Sequence, residues 1–242
     1  WHGVGRVPVH ALPATNAATR VQRSLAAGLN YTMGNSRSVL TTLRANLKGE
    51  TERLIYRMTA RMSYGKTSQE NDQGRDQMIL SSQSVDFNGE LRRLLNDRDY
   101  WQAKSSFQHN KVAGLDYRIE AGPSLGRYFL RRPDHEFSSD LGVAQLREAK
   151  NGEETEDRPA LRWGARWERK LESEATLLIS GEWMPALDDF GDRLFNGEAA
   201  AETPLTARLK IRVQVTDTYD SRPAEGKVRH DATVATLLTV KF

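Results

Sequence analysis

The sequence predicts an all-β fold: a closed antiparallel transmembrane up-and-down β-barrel of about twelve strands. Three observations carry that reading. Apolar and polar residues alternate along most of the chain, the last strand ends on an aromatic residue, and long and short connections alternate. Alternation is diagnostic because successive side chains of a strand point to opposite faces, whereas a helix scatters the same residues around its circumference.

Residues 1–21 hold Pro8 and Pro13 and show no alternation, so they are expected to form an N-terminal periplasmic lead-in or linker stub before a barrel over 22–242. Strands are predicted near 23–34, 37–48, 53–66, 75–87, 98–109, 113–130, 137–147, 159–170, 174–184, 192–202, 205–218 and 229–242. In the third, Leu54, Tyr56, Met58, Ala60, Met62 and Tyr64 share one face against Arg57, Thr59, Arg61 and Ser63. The sixth sets Leu115, Tyr117, Ile119 and Ala121 against Asp116, Arg118 and Glu120, and the eighth sets Leu161, Trp163, Ala165 and Trp167 against Arg162, Arg166 and Glu168. The eleventh is sharpest, with Leu205, Ala207, Leu209, Ile211, Val213 and Val215 opposing Thr206, Arg208, Lys210, Arg212 and Gln214. The last places Val234, Thr236, Leu238, Val240 and Phe242 on one face, and Leu238, Val240 and Phe242 form the C-terminal strand signal expected of an outer-membrane barrel.

Long polar connections are expected near 67–74, 148–158, 185–191 and 219–228, and tight ones near 49–52, 171–173 and 203–204. With the last strand ending in the periplasm, the long set faces outward, as such barrels require. Two places fit less well: 88–97, expected as a long periplasmic connection able to hold a short helix, and a very short external turn around Gly34 to Ser36.

Composition narrows the function classes. Only 38% of the 242 residues are hydrophobic and mean hydropathy is −0.65, so no stretch approaches a spanning helix, while a barrel needs only every second residue apolar. Cysteine is absent, which removes disulfides, thiolate metal sites and a cysteine nucleophile. Thirty-five basic and 32 acidic residues, spread along the chain, argue against a nucleic-acid binder. The chain starts at Trp1 with no basic-then-apolar leader and is expected to be a mature or trimmed product.

The stretches Trp183 to Arg193 and Thr203 to Gly226, with the closing strand, resemble the salt-induced outer membrane protein family of Gram-negative bacteria, a family of unknown function. Gly28 to Ser36 and Asp116 to Gly126 are similar to its opening strand and its glycine-rich central strand, so the resemblance spans roughly 23–242. The segment 88–97 departs from the family's shorter connection. The resemblance implies an outer-membrane barrel and supplies no catalytic motif.

With apolar faces toward lipid, a charged set turns inward: Arg44, Arg57, Arg61, Asp116, Arg118, Glu120, Arg162, Arg166, Glu168, Glu182, Arg208, Lys210 and Arg212. These charges are expected to pair or to face water. The resulting reading is an outer-membrane barrel of undefined role, structural or assembly-linked, with a charged, largely side-chain-filled lumen. A narrow anion-preferring small-solute channel is the alternative, drawn from the cationic excess of that set. A soluble ligand-binding barrel with its apolar face inside and a lipid-modifying barrel enzyme are further alternatives.

For the enzyme, the candidate base is His109, which Ser105 or Ser106 could approach; a solvated rim histidine is the commoner case. The carboxylates of Asp188, Asp189 and Asp192 could hold calcium, though without EF-hand spacing, and Glu153, Glu154, Glu156 and Asp157 form an acidic run of the kind that is usually solvated. Trp101, Trp163, Trp167, Trp183, Tyr56, Tyr64, Tyr117 and Phe242 suit interfacial girdles. No catalytic, cofactor or metal residue is assigned. Expected partners are outer-membrane lipid and lipopolysaccharide, the barrel-assembly machinery through the C-terminal strand, and a protein through the lead-in or loops.

Overall fold

The computed structural model describes residues 20–32, 38–70 and 76–242. Twelve antiparallel strands run in chain order: β1 (Arg20–Thr32), β2 (Ser38–Glu50), β3 (Leu54–Glu70), β4 (Asp76–Leu94), β5 (Asp99–Asn110) and β6 (Leu115–Arg131). They continue as β7 (His135–Lys150), β8 (Glu156–Lys170), β9 (Thr176–Pro185), β10 (Arg193–Pro204), β11 (Leu209–Asp220) and β12 (His230–Lys241). Each strand pairs with its sequence neighbours, and β1 pairs β12 to close the barrel. All twelve predicted strands are present. The lead-in falls almost wholly outside the described residues, as does the turn around Gly34 to Ser36, and β1 already includes Arg20.

One end of the barrel carries turns at 51–53, 95–98, 132–134, 171–175 and 205–208; at the other lie 111–114, 151–155, 186–192 and 221–229. The first is the turn end and the second the loop end. The expected parity holds. The segment 88–97 is the main correction: it is neither a long connection nor helical, because β4 continues to Leu94 and only 95–98 turn. Asn88, Glu90 and Arg92 pair laterally with Ser106, Lys104 and Gln102 of β5, so a segment polar enough to read as a loop is a strand that lines the interior.

Burial follows the pleat. Leu25, Leu43, Met62, Leu125, Phe129, Leu141, Trp163, Ile179 and Val234 are all more than half exposed on the outer wall. Inside, Arg92, Arg118, Glu120, Glu148, Arg158, Arg162 and Glu182 are each at most 9% exposed. Apolar groups out and charges in is the reverse of a soluble barrel, so that alternative is overturned: its core would hold the leucines, not the arginines. The aromatic residues Tyr64 and Trp163 stand on the same outer wall, half exposed.

Two glycines permit close contact between neighbouring strands. A Cβ on Gly122 of β6 would lie 2.0 Å from the Val143 carbonyl oxygen, and one on Gly142 of β7 would lie 2.1 Å from the Pro123 carbonyl oxygen. Pro123, which lacks an N–H, sits between the laddered pairs Ala121↔Gln145 and Ser124↔Gly142.

Candidate functional site

The lumen is the site, built wherever inward positions of several strands are charged. Three ties cross it. Near its middle, Arg44 of β2 donates to Glu198 of β10 at 3.0 Å and to Gln214 of β11 at 2.9 Å, while Arg212 of β11 also donates to Glu198. Lys104 of β5 reaches Glu182 of β9, beside the buried Arg162, which stands 3.8 Å from both Glu182 and Asp140. Toward the loop end, Arg118 of β6 bridges Glu148 of β7 and Asp220 of β11, each at 2.6 Å. Glu148 also meets Lys150 at 3.2 Å and Arg158 at 3.0 Å. Charges this buried persist only when paired, since an isolated one would carry a desolvation cost of several kcal/mol.

The cationic residues singled out in the sequence find these places. Arg57 pairs with Glu90 at 2.6 Å, Arg61 with Asp86 at 3.0 Å, and Arg166 with Glu168 at 2.8 Å, while Lys210 pairs with Glu202. Glu120 is buried on β6 and faces inward. Arg208 is different: it is exposed in the 205–208 turn, where its N–H meets Thr206 Oγ1 at 3.3 Å. The strand begins at Leu209, later than the alternation suggested, so Arg208 belongs to the turn end and not to the lumen. Asp116 is likewise exposed, beside the register shift between Leu115 and Tyr117.

Several lumen residues escaped the sequence reading: Asp86, Glu90, Arg92, Tyr100, Gln102, Tyr128, Glu148 and Glu198. Most of these carboxylates sit opposite the chosen arginines, and extending the period-two pattern of β4 through Leu94 would have found Glu90 and Arg92. Their presence changes the charge account. A central cavity of about 260 Å³ is lined by Arg44, Arg57, Arg61, Arg92, Lys104 and Arg166 and by Asp86, Glu90, Glu120, Asp140, Glu182, Glu198 and Asp217. Cations and carboxylates there nearly balance.

The interior holds cavities toward both ends of the barrel. A loop-end cavity of about 520 Å³ shares Arg61, Asp86, Thr216 and Thr218 with the central one. A turn-end vestibule of about 860 Å³ shares no lining residue with the central cavity. Between them lies a layer in which Arg92 donates to Tyr128 Oη at 2.7 Å and to Gln102 Oε1 at 2.9 Å. The Arg92 guanidinium stacks 3.9 Å over Tyr100, whose ring lies 5.1 Å from that of Tyr128. Tyr100 and Tyr128 are each 1% exposed, so the layer is densely filled on the β4–β6 side.

Over the loop end, 221–229 folds inward. Ala224 is buried against Gly114, whose φ of +71° suits glycine, and Lys150 Nζ donates to the Arg222 carbonyl at 2.5 Å. Arg222 reaches Asp189 at 2.5 Å, and Arg158 reaches Asp192 at 2.5 Å. Two carboxylates considered for calcium are thus engaged by side-chain cations, and no group of three His, Cys, Asp or Glu placed to hold a metal occurs among the described residues. The N–H of Gly191, and after it Arg222, hold the Asp189 carboxyl below the usual carboxylate range. The candidate base His109 directs Nδ1 to the Asp116 carbonyl at 2.8 Å. Ser106 faces the lumen while His109 faces out, and Ser105 is four residues along the same strand, roughly 13 Å away at strand rise, so neither serine meets it.

A family model described as "Protein of unknown function, DUF481" matches residues 25–242. Among solved structures, the NanC porin is similar with a TM-score of 0.52 at 8% identity, covering 90% of this chain and 98% of that one. The COG4313 outer membrane channel from Pseudomonas putida F1 is similar with a TM-score of 0.48 at 14% identity, covering 98% of this chain and 100% of that one. The translocator domain of the autotransporter NalP from Neisseria meningitidis has a TM-score of 0.47 at 12% identity, covering 96% and 90%. Likeness at such identities bears on the fold alone. No curated protein sequence matches this chain.

Proposed function

The chain belongs to the DUF481 family of proteins of unknown function, and from that premise we propose that it is an outer-membrane barrel whose lumen is a charged chamber closed at the turn end, not a constitutively open pore. The observation that carries this reading is the Arg92, Tyr100, Tyr128 and Gln102 layer, which stands between the central cavity and a turn-end vestibule that shares no lining residue with it. An outer-membrane location is supported by the apolar outer wall, which needs a non-aqueous medium, and by the porin-like fold. The loop end then faces outside, and the turn end faces the periplasm. Cross-lumen ties among β2, β5, β6, β9, β10 and β11 give the barrel a stiffening, structural role. Its partners in this reading are membrane lipid, lipopolysaccharide at the loops and the assembly machinery at the last strand. We assign no enzymatic step to it.

A second reading, a gated channel for small polar solutes, is favoured by the cavities on both sides of the layer. Anion preference has lost its basis, because carboxylates on β4, β7 and β10 offset the arginines that suggested it. The test is solute efflux from vesicles holding heat-modifiable, folded protein. Retention of small sugars and salts is expected, and efflux at a porin's rate overturns the closed-chamber reading.

A further inference from the structure

The barrel closes on an incomplete seam. β1 and β12 are laddered only from Ser24↔Lys241 to Ala27↔Leu238, with the Phe242 N–H meeting the Arg23 carbonyl at 3.1 Å just beyond. Toward the loop end that ladder stops, although both strands go on: β1 stays paired with β2 as far as Thr32↔Ser38, and β12 stays paired with β11 as far as Tyr219↔His230. The strands still touch at Gly28, where a Cβ would lie 2.3 Å from the Thr236 carbonyl oxygen. From there, among the described residues, each presents an edge without ladder pairs to the other. Unpaired backbone groups are costly in hydrocarbon, which is why membrane barrels close their edges.

The wall beside this gap is hydrocarbon-facing. Leu29 of β1 is 69% exposed and Val234 of β12 is 62% exposed. Behind it lies the loop-end cavity of about 520 Å³, whose lining mixes the two faces of the sheet. Thr42 and Ala235 are inward and buried, whereas Val39 and Val234 belong to the outward sets of their strands, so residues of both faces border the cavity. Its chemistry is more mixed than that of the charged centre: hydroxyls such as Ser63, Ser84 and Thr233 stand among valines and alanines, the charged pair Arg61 and Asp86 borders the central cavity, and Lys227 and Asp231 line it as well.

We propose that the β1–β12 seam is a lateral opening through which an acyl chain of a membrane lipid enters the loop-end cavity. The methylene chain covers the small and apolar lining, and its headgroup stays at the membrane surface. This inference rests on the membrane reading above, and the experiment keeps the two apart.

The chain has no native cysteine, so single-cysteine variants need no further engineering. Thr233→Cys probes the cavity, Ser180→Cys the central lumen away from the seam, and Val143→Cys the outer wall. Each is labelled with bimane and folded into phosphatidylcholine vesicles carrying a phosphatidylcholine with a nitroxide midway along one acyl chain. That two-chain lipid stays in the bilayer and does not enter through an aqueous mouth. Folding of each variant is checked by heat-modifiable migration. The expected result is quenching at Thr233 of about half or more of that at Val143, with little at Ser180, because only a gap in the wall admits the chain. Quenching at Thr233 no greater than at Ser180 overturns the opening. Absence of quenching at Val143 in folded protein overturns the membrane reading itself.

Discussion

Arg92 and Tyr128 are joined across the turn end of the lumen by a 2.7 Å hydrogen bond between the Arg92 guanidinium and the Tyr128 hydroxyl. The two residues reach each other from β4 and β6, over the Tyr100 ring of the strand between them. Tyr128 lines the turn-end vestibule and Arg92 lines the central cavity, so their bond lies on the partition.

Removing only the hydroxyl should therefore weaken the layer without emptying it. Tyr128→Phe leaves one buried Arg92 donor without its acceptor and should lower unfolding free energy by about 1–3 kcal/mol. Urea titration in detergent micelles reads this; an unchanged midpoint would show that the bond contributes nothing.

Glu148 is the hub of the loop-end network, facing Arg118, Lys150 and Arg158. Glu148→Gln strands three cations around a neutral amide, and breaking a buried pair in this way costs about 3–5 kcal/mol. Asp220→Asn should cost less, because Glu148 still holds Arg118. The temperature at which the folded band disappears on a gel ranks the two, and the reverse order would contradict the network.

Gly122 predicts a steric effect. A methyl there would meet the Val143 carbonyl oxygen at 2.0 Å, whereas the nearest atom to one on Gly89 is the Ser105 hydroxyl at 3.2 Å. Gly122→Ala should cost about 1–3 kcal/mol through forced backbone displacement, and Gly89→Ala less. Equal folding yields and midpoints for both variants would contradict the tight β6–β7 contact.

The 221–229 loop should respond to acid through Asp189. Its carboxyl titrates below the ordinary carboxylate range, so its contribution is complete above the unfolded-state value and is lost as pH falls through the lowered one. A spin label at Glu225, exposed on that loop, should therefore be equally restrained at neutral and mildly acidic pH and gain mobility only in stronger acid. Loosening that begins near neutrality would place the latch elsewhere.

A period of two encodes the face that each residue takes. Alternation in Leu54 to Tyr64 and in Leu209 to Val215 located strands and sorted faces, because lipid outside and charge inside give every second residue a different medium. It was weaker at residues 88–94, where the outward positions Gly89, Leu91 and Arg93 are not uniformly apolar, so the strand read as a connection. The error hid Glu90 and Arg92, and with them the partition. Partners across the lumen, such as Arg44 and Glu198, are 154 residues apart and follow only from closure of the barrel, which strand patterns do not place in register. Arg208 was misassigned because its alternation continues into a turn.

Closure of the lumen between its central cavity and its turn-end vestibule is read by planar-bilayer recording of folded wild-type protein beside Tyr128→Ala. No steady unitary current is expected from the wild type, and ohmic steps are expected once the Tyr128 ring is removed. Steady wild-type conductance that Tyr128→Ala leaves unchanged would contradict it.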